Sequence, residues 1–97
     1  MAMTEITMFA ITAKRAEEAR MRIVSEIDSA DTTFSGPEGD FHSAFVYLKD
    51  PTDKDYRTLN IILNDLLSRN VIMAVGVYDR TDGNITTKIL NYTEENE

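Results

Sequence analysis

A chain of 97 residues, 42% of them hydrophobic, is the size of one domain with one core, and residues 1–97 are read as that single domain. Seventeen acidic against ten basic residues give a formal charge of −7, which disfavours general binding to nucleic-acid backbones or anionic membranes. The chain has no cysteine, so a disulfide scaffold, a thiolate metal site and a cysteine nucleophile are excluded, and a reducing cytoplasmic setting is expected.

No apolar run reaches the roughly 18 residues that a membrane span requires. In the first fifteen residues the positive charges follow the apolar stretch, opposite to the order of a secretory signal. Charge is unevenly spread: residues 13–24 sum to +2 and the remainder to −9.

Met1-Ala2-Met3 is assigned no structure. Glu5–Thr12 reads as a strand on its β-branched and aromatic content, with a helix continuous with the next segment as the rival, since Ile6, Phe9, Ala10 and Ala13 also fall at helical spacing. From Ala13 an amphipathic helix is expected to run to about Ala30, with Ala13, Ala16, Ala19 or Arg20, Ile23, Val24 and Ile27 on one side and Lys14, Arg15, Glu18 and Arg22 on the other. Lys14 with Glu18, and Glu18 with Arg22, are spaced for ion pairs on that exposed face.

Thr32–Ser35 is a possible short strand, and Gly36-Pro37-Glu38-Gly39 has the composition of a turn. Phe41–Lys49 alternates as a strand, with Phe41, Ser43, Phe45 and Tyr47 on one face and His42, Ala44, Val46 and Leu48 on the other. A second helix then starts by one of two routes, Asp50 capping with Pro51 in the first turn, or Thr52 capping with Asp55 three residues on. Its apolar stripe is Tyr56, Leu59, Ile62, Leu63, Leu66 and Leu67, and Asn70 suits the left-handed position after its end.

Val71–Tyr92 reads as a β-hairpin turning at Asp82-Gly83, because both central residues of a type I′ turn need positive φ. That register pairs Arg80 with Ile85, Tyr78 with Thr87, Gly76 with Ile89 and Val75 with Leu90. One face then holds Met73, Val75, Val77, Leu90 and Tyr92; the other holds Ile72, Ala74, Gly76, Tyr78, Ile85 and Ile89. The first strand, apolar on both faces, is expected inside the sheet and the second at its edge. Glu94–Glu97 is read as a frayed charged tail.

These elements imply an α+β protein of the split βαβ (ferredoxin-like) arrangement: an antiparallel sheet, two helices on one face and a C-terminal β-hairpin. The other sheet face then holds several apolar residues, and a homodimer is the expected way to cover them.

Candidate chemistry is sparse. His42 is the single histidine, with no partner at a recognisable spacing, and it is read as a strand residue in preference to a general base. Asp50, Asp53 and Asp55 could ligate a hard cation, but helix capping accounts for them more simply. Asp79–Asn84 resembles a calcium loop only superficially, since Gly83 is its fifth residue and no helix follows. Gly36–Gly39 lacks the Gly-Lys-Ser/Thr of a phosphate loop. Phe41, Phe45 and Tyr47 invite comparison with base-stacking RNA-recognition sheets, yet the basic and glycine neighbours of that signature are missing. No metal and no cofactor is expected.

The function expected is therefore that of a small acidic non-enzymatic protein. It would bind a macromolecular partner, a protein, as a regulator or inhibitor, by occupying a basic nucleic-acid-binding surface. Asp50, Asp53, Asp55, Asp79 and Asp82 would supply the acidic partner-binding charge. The alternatives are a small-molecule-binding regulatory domain and a nucleic-acid-binding module using Lys14, Arg15 and Arg22 of the first helix.

Overall fold

A computed structural model describes residues 2–88, in the order β1 (Met3–Ala10), α1 (Ala13–Glu26), β2 (Ala30–Glu38), β3 (Phe41–Lys49), α2 (Asp53–Ser68), β4 (Ala74–Thr81) and β5 (Asn84–Thr87). The strands form one antiparallel sheet in the spatial order β2-β3-β1-β4-β5. The rivalry over the N-terminal segment is resolved in favour of a strand, and Met3 belongs to it. The pairings expected for Ile89 and Leu90, the face assigned to Tyr92 and the tail Glu94–Glu97 lie outside the described residues.

Period-two alternation divides the sheet into two unlike faces. In β1, Thr4, Ile6, Met8 and Ala10 are buried, and in β3 Ala44, Val46 and Leu48 are fully so. Their register neighbours in β4, Val75 opposite Met8 and Val77 opposite Ile6, complete that side. Both helices cover this same face. From α2, the Tyr56 hydroxyl meets Thr4 Oγ1 at 2.7 Å. From α1, Arg20 donates to Thr33 Oγ1 at 2.6 Å and Glu17 accepts from Ser35 Oγ at 3.0 Å.

Helix α1 is capped by Thr12, whose hydroxyl accepts from the Arg15 N–H, and Ala16 and Ala19 are buried where it lies against the sheet. It stops at Glu26, short of the expected Ala30. Ile27 turns extended with its side chain buried, while its N–H still closes onto the Ile23 carbonyl. Ala30 is then free to pair with Leu48, so the gain from strand pairing outweighs further helical periodicity. Ala13 and Val24, expected in the buried stripe, are exposed.

At the start of α2, the Thr52 route prevails. Thr52 Oγ1 accepts from the Asp55 N–H and the Asp55 carboxylate accepts from the Thr52 N–H, a reciprocal capping box. Asp50 instead adopts φ 49°, and its carboxylate accepts from the Ala2 N–H at 2.8 Å. Of the expected stripe, Tyr56, Leu59, Ile62, Leu63 and Leu66 are buried, whereas Leu67, one position off the stripe, is exposed. Asn70 takes the left-handed φ of 59°.

Two strand boundaries correct the sequence reading. Gly36-Pro37-Glu38 is not a turn: it continues β2 to Glu38, and the reversal falls on Gly39-Asp40 with Gly39 at φ 63°. Proline is tolerated because β2 is the outermost strand, where a missing N–H breaks no ladder bond. The hairpin strand begins at Ala74, with Val71 and Ile72 buried in the connection before it and Met73 exposed. The turn itself is as expected, with Asp82 at φ 51° and Gly83 at φ 83°, Arg80 opposite Ile85 and Tyr78 opposite Thr87. As expected too, β4 is internal and β5 lies at the edge.

Candidate functional site

The sheet face opposite the helices is built from Met3, Glu5, Thr7 and Phe9 of β1, and from Phe41, Ser43, Phe45, Tyr47 and Lys49 of β3. Beside them stand Ala74, Gly76, Tyr78 and Arg80 of β4, with Phe34 and Glu38 contributed by β2 and Ile85 by β5. All four phenylalanines of the chain stand here, together with Tyr47 and Tyr78. Among the described residues, Tyr56 is the one aromatic of the helix-side core.

Across the face, the register fixes which rings are neighbours. Phe34 lies opposite Phe45, and their rings stack with centroids 4.8 Å apart and planes 24° from parallel. Phe34 and Phe41 are 51% and 44% exposed, and Ile85 is 57% exposed, so water meets a broad apolar surface. Ser43 and Thr7, flanked by rings, are buried even on this outer side. Gly76 leaves room for the Tyr78 ring to lie along the strand above it.

One carboxylate sits among these rings. Glu5 stands between Tyr47 and Tyr78 in register, accepting from Arg80 Nη1 at 2.8 Å and from Thr7 Oγ1 at 3.0 Å. Its charge is thus matched by a neighbour on the same face. With Glu38 and Lys49 included, the strands of the face contribute two acidic and two basic side chains among the described residues.

The five aspartates proposed from sequence do gather at one end of the sheet. Asp50 follows β3 and is bonded to Ala2, Asp53 and Asp55 open α2, Asp79 lies opposite Thr4, and Asp82 sits in the β4–β5 turn. Two of them serve the backbone: Asp50 bonds to Ala2 and Asp55 closes the capping box. Lys49, Lys54 and Arg80 share this end. No group of three or more His, Asp or Glu side chains able to hold a metal ion occurs among the described residues.

The three basic residues of α1 singled out from the sequence, Lys14, Arg15 and Arg22, do not act together. Arg22 bridges to Asp65 of α2 at 2.8 Å and to Glu26, and hydrogen bonds to these two carboxylates push its guanidinium pKa further up. Arg15 Nη1 donates to the Asn70 carbonyl at 2.5 Å. Lys14 lines a surface concavity of about 360 Å3 with Thr12, Arg15, Glu18, Arg69 and Val71. The expected pairs of Glu18 with Lys14 and Arg22 are replaced, since Glu18 meets Arg69 at 3.7 Å. Elsewhere on the helices, a hydrogen bond from Arg20 and a second from Ser35 hold the Glu17 carboxyl below its usual range. Hydrogen bonds from Arg69 and then Arg22 do the same for Asp65.

His42 is half-buried on the helix-side alternation of β3, opposite Ala10 and Pro37. No described helix is long and apolar enough to cross a membrane. The residues missed from sequence are Phe9, Phe34 and the Glu5–Arg80 pair. Alternation within each strand carried the signal, but only the inter-strand order joins those separate alternations into one face. Compared with protein-family models, curated proteins and solved structures, the chain matches none.

Proposed function

We propose that this chain is a non-enzymatic protein-interaction module, a small regulator or inhibitor, and that it recognises its partner through the open face of a split βαβ (ferredoxin-like) sheet. The fold name is supported by β3 lying between β1 and β2, and β1 between β3 and β4, with β5 added outside. The observation that carries the function is the placement of every phenylalanine on the side of the sheet that the helices leave uncovered. Aromatic side chains are the largest source of apolar burial, and a chain of this size would ordinarily spend them on its core. Aromatic residues are also enriched where protein interfaces are most fully desolvated.

A base-stacking role has less support, because the face has no excess of basic side chains to neutralise phosphates. The small-ligand reading is weakened by the concavity at Lys14 and Arg15, which is open and lined mostly by charged groups. The cysteine-free composition fits a cytoplasmic setting.

A second reading assigns binding of a basic partner to the end that holds Asp50, Asp53, Asp55, Asp79 and Asp82, favoured by their convergence there. One experiment separates the two. Affinity capture from the native host is compared for the unaltered chain, a Phe34→Ser/Phe41→Ser variant and an Asp53→Asn/Asp79→Asn variant. Loss of captured protein in the phenylalanine variant alone supports the sheet face. Loss in the aspartate variant alone, with capture sensitive to salt, transfers the function to the acidic end.

A further inference from the structure

Resting on the reading of the open sheet face as a recognition surface, we propose that its occupant is a second copy of this chain, packed sheet against sheet about a two-fold axis. Charge is the first argument. The whole chain has a formal charge of −7, yet among the described residues the open face holds Glu5 and Glu38 against Lys49 and Arg80, a balance of zero. The described residues include 14 acidic against 10 basic, so their excess negative charge lies on other surfaces. Two copies meeting at this face bring together its neutral parts, whereas a strongly basic or strongly acidic partner would find no complementary field there.

Area is the second argument. Strands about 4.8 Å apart and rising about 3.3 Å per residue give five strands of up to eight or nine residues a planar footprint of roughly 600 Å2. The accessible area of a face corrugated by six aromatic side chains exceeds its footprint, and specific interfaces begin at about 600 Å2 per partner. The face is thus large enough for a dimer without help from another surface.

The chemistry of the face fits self-recognition as well. In a two-fold interface each copy presents the same patch, so the patch must complement itself. Rings stack on rings, Phe34, Phe41 and Phe45 supplying a cluster toward one side of the sheet and Tyr78 a ring on the other. Glu5 and Arg80 neutralise each other within one copy, and Glu38 and Lys49, at opposite ends of the face, give each copy an acceptor and a donor for the other. Sheets packed face to face in either the aligned or the orthogonal manner would cover these side chains.

The test is sedimentation equilibrium on the purified full-length chain, with and without Phe34→Glu/Phe41→Glu, and with Ile61→Glu on the outer side of α2 as control. The expected mass is twice the 11.0 kDa of one chain for the unaltered protein and for Ile61→Glu. Phe34→Glu/Phe41→Glu should raise the dimer dissociation constant at least about tenfold while keeping the circular dichroism of the parent. Isotope-filtered NMR on a mixture of labelled and unlabelled unaltered chains guards against misfolding of the variant. It should show contacts between copies at Phe34, Phe41, Phe45 and Tyr47. An unaltered chain that stays monomeric at about millimolar concentration overturns the dimer, as do intermolecular contacts confined to the helices. If the chain is monomeric and the phenylalanine variant still loses captured partner, the dimer fails while the recognition face stands. If capture is also unaffected, both fail.

Discussion

The ring of Tyr78 lies over Gly76: a Cβ built on that glycine would stand 2.8 Å from two of the ring carbons. The glycine is therefore needed for the position of the ring, while its backbone φ is one that other residues adopt readily. Gly76→Ala should push Tyr78 off the sheet. Because the obstructing atoms are the far end of a flexible side chain, stability should change by less than about 1 kcal/mol, a melting shift of under about 8 °C. Thermal denaturation together with the aromatic NMR signals of Tyr78 checks this. An unchanged ring environment would show that the backbone yields in its place.

Beneath the helices, Thr4 is fully buried and its hydroxyl is bonded to that of Tyr56 at 2.7 Å. Tyr56→Phe removes that partner and strands the threonine oxygen, at an expected cost of about 1–3 kcal/mol. The double change Tyr56→Phe/Thr4→Val, which removes both hydroxyls, should recover part of the loss. Urea unfolding of the two single variants and the double variant measures the coupling. Costs that simply add would mean that the two hydroxyls do not act as a pair.

Asp65 holds α2 to α1 through Arg22 and braces its own helix end through Arg69 at 3.0 Å. Its pKa is lowered in the folded chain from an ordinary value of 3.8, and that of Glu17 from 4.5. A depressed carboxyl pKa means that the unfolded chain binds protons first as pH falls. The stabilisation is fully present above the ordinary values and is lost as pH drops from them through the lower folded values. Asp65→Asn should therefore lower the melting temperature at neutral pH and make its decline below about pH 4 shallower. Melting temperatures of the two proteins across pH 2–7 provide the comparison. Parallel curves for the two would place the acid sensitivity elsewhere.

Local chemistry was legible from sequence where it stays local. The Asp82-Gly83 turn and the left-handed Asn70 follow from one or a few adjacent residues, the Thr52–Asp55 cap was one of two helix starts that the same residues offered, and the alternation of Phe41–Lys49 assigned its two faces correctly. Boundaries decided by distant partners were not legible. Nothing near Ile27 announces that Ala30 will pair with Leu48, and nothing near Pro37 announces that its strand will be outermost. The candidate surface was half visible for the same reason. Phe41, Phe45 and Tyr47 share a strand, but Phe9, Phe34 and Tyr78 join them only after the order of five strands is known.

Pro37 has a bearing on how an assembly of these chains could end. Next to a two-residue reversal, its nitrogen points away from β3, at the outer margin of the sheet. A foreign strand laid along that margin would find a donor missing and a ring in its path, and the shift in pairing between Ala30 and Thr32 bends the other end of the same strand. Strand addition along the β2 edge is thereby discouraged. Contact through the broad side of the sheet, where two copies are proposed to meet, would by contrast be a closed event that stops at two.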